Sequence, residues 1–278
     1  MNTQTFSLNN KAHLLFVILG SFFIANALIA EFIGIKVFSL EKTLGFEPIK
    51  WYLFGSDFSF NLSAGTLTWP VVFIMTDIIN EYFGKKGVKI LSYMTVVLIG
   101  YAAISLFLTI QLIPADFWIM RTTTEGTINM NLAFNAVLGQ GLWITIGSMT
   151  AFLVGQLIDI SLFYSVKKLT GENYLWLRAT GSTAVSQLFD SFIVLFIAFR
   201  LNPSTQWEFK VLIPILIISY TYKLIVAVLL TPVIYFIHGV IERYLGEPLA
   251  TELKVQAMAI SDHKQSVLTT KRHGKPKI

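Results

Sequence analysis

Apolar residues run along this chain in six long stretches, near 12–38, 66–83, 88–113, 133–165, 179–199 and 211–242. A helix of about 20 apolar residues crosses the roughly 30 Å of a bilayer's hydrocarbon. The pattern therefore predicts an all-α polytopic membrane bundle of six transmembrane helices. Five of the stretches carry a polar or charged residue where hydrocarbon is expected, most clearly Asp77 and Glu81, Asp159, Asp190 and Lys223. A charge at the centre of a spanning helix costs at least about 2.5–3.5 kcal/mol. Several such residues imply a packed or wet polar interior, a pathway or a pocket.

Helical spacing groups the polar positions. Phe73, Asp77, Asn80 and Glu81 share one face of the second stretch. Ser148, Gly155, Gln156 and Asp159 do so in the fourth, and Thr183, Ser186, Gln187 and Asp190 in the fifth. Three stripes point to one shared pocket. The second and fifth stretches are each the middle of a three-helix set, and each carries an acid at similar depth. Halves of three helices insert with opposite orientation, so a 3+3 inverted repeat is expected.

Several of these residues also have a structural reading. Glu81 lies close to Gly84, Lys85 and Lys86, which places it at a helix end among headgroups, whereas Asp77 reads as functional. Asp159 either joins the pocket or pairs with Arg178 or Lys168. Gln187 and Asp190 lie deepest and read as ligand or interhelical contacts. Lys223 is too deep to snorkel and pairs with Asp190 or Asp77. Asn26 is a candidate for interhelical hydrogen bonding, and Glu31 with Lys36 forms an i, i+5 pair or a gate. Gly141, Ser148 and Gly155 recur at heptad spacing, which favours close helix packing. Pro70, Pro214 and Pro232 break or kink their helices, Pro70 where an interrupted helix would border a transport site.

Charge sets the topology. Cations cluster after the second stretch (Lys85, Lys86, Lys89), after the fourth (Lys167, Lys168, Arg178) and after the sixth (Arg243, Lys254, Lys264, Lys271, Arg272, Lys275, Lys277). The positive-inside rule then places both termini in the cytoplasm. With 278 residues, 54% hydrophobic and 13% charged, and a mean hydropathy of +0.65, the chain has no room for a separate soluble domain. Residues 1–245 read as the membrane domain and 246–278 as a basic, mobile cytoplasmic tail. The net charge of +5 follows topology, so nucleic acid is not an expected partner; the lipid bilayer is.

There is no cysteine, and no Walker A, His-Glu-x-x-His or Gly-x-Ser-x-Gly sequence occurs. Catalytic residues, metal and cofactor are therefore all expected to be absent, and an enzyme is not the expected class. Lys11, the run Leu14–Ile24 and the small residues Ala25 and Ala27 resemble a cleavable leader. Apolar sequence continues through Leu28–Ile35, however, which makes the segment long enough to span and be retained. The aromatic segment Leu40–Leu67 (Phe46, Trp51, Tyr52, Phe54, Phe58, Phe60) reads as an interfacial belt, with a re-entrant lid as the alternative.

Three ordered motifs carry a family resemblance. They are Leu62-Ser-Ala-Gly65-Thr-Leu-Thr-Trp-Pro70 followed by Thr76-Asp77-Ile-Ile-Asn80-Glu81-Tyr-Phe-Gly84; Gly155-Gln156-x-x-Asp159-x-x-x-Phe163; and Trp176-Leu-Arg178 leading into Ser186-Gln187-x-x-Asp190-x-x-x-Val194. Over roughly residues 15–245 the chain resembles the queuosine precursor transporters, six-span proteins of the bacterial inner membrane. The resemblance implies import of deazaguanine bases, the cyano and aminomethyl precursors of queuosine, for salvage into tRNA. The residue chemistry suits such a ligand. A guanine-like edge presents adjacent N–H donors to a carboxylate, amides complement both donors and acceptors, and flat rings stack.

On that reading Asp190 or Asp77 takes the donor edge, and Gln187, Gln156 and Asn80 the remaining edge. Trp69, Phe73, Trp143 and Phe189 are stacking candidates. Asp159, Lys223 and Asn26 complete the candidate substrate site, and Glu81, Arg178, Glu31 and Lys36 are candidate gate or ion-pair residues. Proton coupling and facilitated diffusion both stay open, as does a homodimer. The competing class is a substrate-capture subunit of an ATP-driven, vitamin-type uptake complex.

Overall fold

The first apolar stretch forms helix α1 (Lys11–Ile33), and the second and third form one helical element, α3 (Trp69–Ile110), in the computed structural model. The structure describes residues 11–53, 56–124, 126–139, 142–171, 174–203 and 205–258. Between α1 and α3 lie β1 (Val37–Ser39), the single turn α2 (Leu40–Thr43), β2 (Trp51–Leu53), β3 (Ser56–Phe58), β4 (Asn61–Ser63) and a 3-10 turn, Ala64–Leu67. β1 pairs antiparallel with β4 and β2 with β3. The segment expected as a belt or a re-entrant lid forms a small β-paired cap, a local feature within an otherwise all-α architecture. Phe54, one of its aromatic residues, lies outside the described residues. Glu41 pins the cap. It is buried, and it accepts from Phe60 N–H at 2.8 Å and from the Ser39 hydroxyl at 3.2 Å. Burial pushes its carboxyl up, and these hydrogen bonds outweigh that and hold it below the usual carboxylate range.

α3 is 42 residues long, about 63 Å if straight, twice the thickness of the hydrocarbon. It does not run straight. Gly84 adopts φ 65° and ψ −175°, and the chain reverses there. Neighbours along α1 show the reversal. Gly65 sits against the Ala30 carbonyl, Phe83 meets Phe16 with ring centroids 5.0 Å apart, and Leu91 then meets Gly20. The limb before Gly84 is therefore antiparallel to α1, and the limb after it parallel. Val97, Tyr101, Ile104 and Phe107 on the second limb are exposed, a row that suits hydrocarbon and not water.

Beyond α3 come α4 (Asp116–Ile119), the hairpin of β5 (Met120–Thr123) and β6 (Gly126–Asn129), α5 (Met130–Leu138) and α6 (Leu142–Thr170). α5 and α6 together make the expected fourth stretch, one apolar span over Met130–Thr170; Gly141, the first member of its small-residue heptad, lies outside the described residues. α7 (Leu175–Leu195) returns antiparallel against α6, so closely that a Cβ on Gly155 would stand 3.3 Å from Asp190 Cβ, and one on Gly147 3.2 Å from the Val194 carbonyl. Gly155 serves packing, as its spacing implied, and Gly147, outside that heptad series, does the same.

The sixth stretch is two helices, α8 (Phe209–Leu229) and α9 (Thr231–Leu245). Pro232, in the first turn of α9, cannot continue the helix before it. Pro214 remains inside α8. The core lies where α1, α3 and α6 meet, around Phe23, Val72, Ile78, Ile79, Phe152, Ile160 and Phe163. Residues 247–258 form a further helix packed on the body. Leu249 and Leu253 lie against the core, Ala250 and Ala257 are buried, and Lys254 reaches Glu242 at 2.7 Å. The stretch read as a mobile tail from 246 is therefore docked through Met258. Lys11 Nζ donates to the Tyr244 carbonyl at 2.9 Å, so the two ends of the described chain share one end of the bundle.

Candidate functional site

A cavity of about 450 Å³, its open mouth included, lies between the first limb of α3, α7 and the α8–α9 break. Helical periodicity builds its walls. Trp69, Phe73 and Asp77 follow each other at i, i+4 and i+8 on α3, and Thr183 and Gln187 at i and i+4 on α7. Lys223, Ala227, Leu230 and Ile234 close the third side. Pro70 stands in the first turn of α3, where its missing N–H costs nothing. The Trp69 and Phe73 rings stack at 6.1 Å and 27°, a flat aromatic wall beside the polar groups.

Two polar side chains face this space without a partner. Both ends of the Gln187 amide lack a hydrogen bond, and so does Asp77 Oδ1. Buried polar atoms are normally satisfied, so an unpaired amide and carboxylate lining one cavity mark a place for a ligand that supplies donors and acceptors.

The stripe of the fourth stretch stands behind these walls. Asp159 accepts from the hydroxyls of Ser182 at 2.9 Å, Thr183 at 3.3 Å and Ser186 at 3.2 Å, and does not line the cavity. Its place is to fix α7 so that Thr183 and Gln187 face inward. Gln156 accepts from Thr76 at 3.1 Å, tying α6 to α3. Asn80 is buried, its amide nitrogen unpaired, but it too does not line the cavity.

The charged candidates resolve into pairs. Glu81, expected among headgroups, is fully buried; it accepts from Arg178 and ion-pairs with Lys167, each at 2.9 Å. Arg178 also donates to the Gly171 carbonyl at 2.8 Å, closing the α6–α7 connection. Arg178 thus ion-pairs with Glu81, and Asp159 is held by hydroxyls. Lys223 meets Asp190 at 2.6 Å, the first of its two expected partners. Glu31 accepts from Ser148 on α6 and not from Lys36, which is exposed beyond the end of α1.

Three other candidates lie apart from this cavity. Phe189 is exposed, because it lies two residues from Gln187 and so on the opposite face of α7. Trp143, near the start of α6, is exposed as well and neither ring lines the cavity. Asn26 donates to the Phe22 carbonyl of its own helix at 2.8 Å. The sequence reading missed Thr66 and Thr180 of the cavity wall, whose hydroxyls in apolar helix faces were the available signal. It also took Lys167 for a topology-setting surface cation, and overlooked the buried contact of Tyr82 with His238 at 3.1 Å.

Comparison with known proteins gives this site its context. Residues 63–237, which include every motif described above from Ser63 onward, match the family described as "Putative vitamin uptake transporter". A probable queuosine precursor transporter of Bacillus subtilis (strain 168) is 26% identical over 180 residues, 64% of this chain and 72% of the relative. One from Haemophilus influenzae (strain ATCC 51907 / DSM 11121 / KW20 / Rd) is 27% identical over 144 residues, 52% and 54% of the two chains. The queuosine precursor transporter of Escherichia coli (strain K12) is 23% identical over 211 residues, 73% and 82%. No solved structure matches the chain. Among the described residues five helices are long and apolar enough to cross a membrane, α3 being the one that folds back on itself. The chain belongs to the vitamin uptake transporter family and is a multi-pass membrane transporter, not an enzyme.

Proposed function

We propose that this protein imports 7-deazaguanine bases, the cyano and aminomethyl precursors of queuosine, across the inner membrane for salvage into tRNA. The observation that carries the reading is the cavity lined by the unpaired Gln187 amide, the Asp77 carboxylate and the Trp69–Phe73 stack. A deazaguanine presents a flat face to the rings and adjacent N–H donors to Asp77. Its carbonyl and remaining N–H groups match the two ends of Gln187. The names of the three relatives agree with this ligand class.

The chain crosses six times in this reading, counting the two limbs of α3 separately, with both termini in the cytoplasm beside the cation-rich turns. α1 and the two α3 limbs form one half, and α6, α7 and α8 the other. The middle helices of the two halves supply Asp77 and Gln187, which supports an inverted repeat meeting at the site. The Glu81–Lys167–Arg178 cluster ties α3, α6 and α7 together at the end of the bundle that holds the Gly84 turn, and serves as the cytoplasmic gate.

The test is salvage in a bacterial strain that neither makes queuosine precursors nor has its own importer. With this chain expressed and the cyano precursor supplied at low concentration, queuosine should reappear in tRNA. Gln187→Leu, at normal membrane abundance, should reduce uptake roughly 5- to 150-fold, the cost of leaving about 1–3 kcal/mol of ligand polarity unmatched. No restoration with the protein present in the membrane rejects the substrate.

A further inference from the structure

The carboxylates inside the long helices are almost all answered by a neighbour. Glu81 ion-pairs with Lys167 and accepts from Arg178, Asp190 accepts from Lys223, Asp159 from three hydroxyls and Glu31 from Ser148. Asp77 is the exception. It has no ion pair and no hydrogen bond among the described residues, it is buried, and it lines the cavity.

The charged and titratable groups on the elements around it do not supply what it lacks. Glu81 shares its helix, Asp159 and Lys167 lie on α6, Arg178 and Asp190 on α7, Lys223 on α8 and His238 on α9. Lys167 and Arg178 are engaged by Glu81, and Lys223, although on the cavity wall, is engaged by Asp190. His238 turns to the Tyr82 hydroxyl. A carboxylate from which a bound base has displaced the water keeps its charge only with a positive charge beside it, whereas water in the empty cavity sustains it ionised.

We propose that the cavity takes up one positive charge with each base it carries, matched on Asp77: a proton when the base is neutral, and the base's own ammonium when it has one. This rests on the deazaguanine reading and divides the two precursors between two coupling modes. The cyano base is uncharged. A proton from the outer medium bonds to the Asp77 carboxylate as this base enters and leaves to the cytoplasm as the base departs. The aminomethyl base carries a primary amine, protonated at neutral pH as lysine is. Its ammonium, inside the same closed cavity, supplies the positive charge that lets Asp77 stay ionised, and no further proton crosses. Both cycles move one positive charge inward, so an inside-negative potential drives both.

Proteoliposomes holding the purified full chain test this, with membrane potential and pH gradient set independently. Inside-negative potential should accelerate uptake of both precursors severalfold, while acid outside should accelerate the cyano base alone. A lumenal pH dye should record one proton entering with each cyano base and none with the aminomethyl base. Uptake indifferent to potential overturns the proposal, and so does potential-driven uptake of the cyano base without proton entry. If neither precursor is taken up, the deazaguanine reading fails, and the carboxylate is still read separately. Infrared difference spectra of the purified protein between acid and alkaline medium should contain a carboxylic C=O band. That band should be lost in Asp77→Asn, displaced in Asp77→Glu and kept in Asp159→Asn. A spectrum that none of these changes alters overturns the assignment to Asp77.

Discussion

Removing one half of an enclosed ion pair is costlier than removing both halves, because the survivor keeps its desolvation cost and loses its compensation. Asp190 and Lys223 meet at 2.6 Å with side chains only 17% and 14% exposed, and they tie α7 to α8 beside the cavity. Asp190→Asn should lower stability by on the order of 3 kcal/mol, read as a drop in the thermal midpoint of the detergent-solubilised protein and in membrane yield. Asp190→Asn with Lys223→Met should recover most of the loss. A double variant as unstable as the single one would instead assign Asp190 a duty apart from Lys223. The same logic explains which residue roles were legible. Asp190 and Lys223 both announce themselves as charges in hydrocarbon, and few partners exist for either. Glu81 did not, because Gly84, Lys85 and Lys86 suggested a helix end. Its true partner Arg178 lies 97 residues away in sequence, a proximity that only packing creates. Asp159 was visible as a buried acid, but three hydroxyls satisfying it form a pattern that spacing on one helix cannot show.

At the scale of elements, the apolar stretches were legible because hydrocarbon demands length and apolarity together, whereas breaks within them depend on single residues. Pro232 signalled the division of the sixth stretch, yet continuous hydropathy masked it. The docked helix at 247–258 was read as tail because its polar composition outweighed Leu249 and Leu253, one turn apart on the buried face. Gly84 joins these two features. Its φ of 65° with extended ψ belongs to a region that is essentially glycine's own, and a Cβ there would stand 2.9 Å from the Ala257 carbonyl oxygen. Gly84→Ala should therefore cost about 1–3 kcal/mol in backbone strain, and push the 247–258 helix off the turn. The checks are a lowered melting midpoint and faster proteolysis within 247–258. Gly239→Ala is the matched control: α9 is helical there and nothing stands within 4 Å of the added Cβ, so that variant should be neutral or gain up to about 1 kcal/mol.

For the whole molecule, the direction of every long helix follows from pairs of contacts. α1 runs from the Lys11 end towards the cap, and the α3 limbs run back and out again about Gly84. α6 returns, with Ser148 at Glu31 and Lys167 at Glu81. α7 runs out beside it, and α8 comes back, with Lys223 at Asp190 and Thr231 of α9 at Thr180. The chain thus alternates, and the Gly84 turn, the α6–α7 connection and the 247–258 helix fall at the end that carries Lys11. The opposite end holds the β-paired cap, the β5–β6 hairpin and the α7–α8 connection. Cation placement assigns the first end to the cytoplasm. Since the chain has no cysteine, single cysteines report sidedness without background. Cysteines in place of the exposed residues Lys86, Lys168 and Val255 should be shielded from an impermeant maleimide in intact cells and react once the cells are opened. Those replacing exposed Lys50, Thr122 and Thr205 should react in intact cells. Complete inversion of the two sets would keep the fold and reverse the transport direction inferred from charge. Mixed labelling within either set would break the six-pass reading itself, because one end of a bundle cannot lie on both sides of a bilayer.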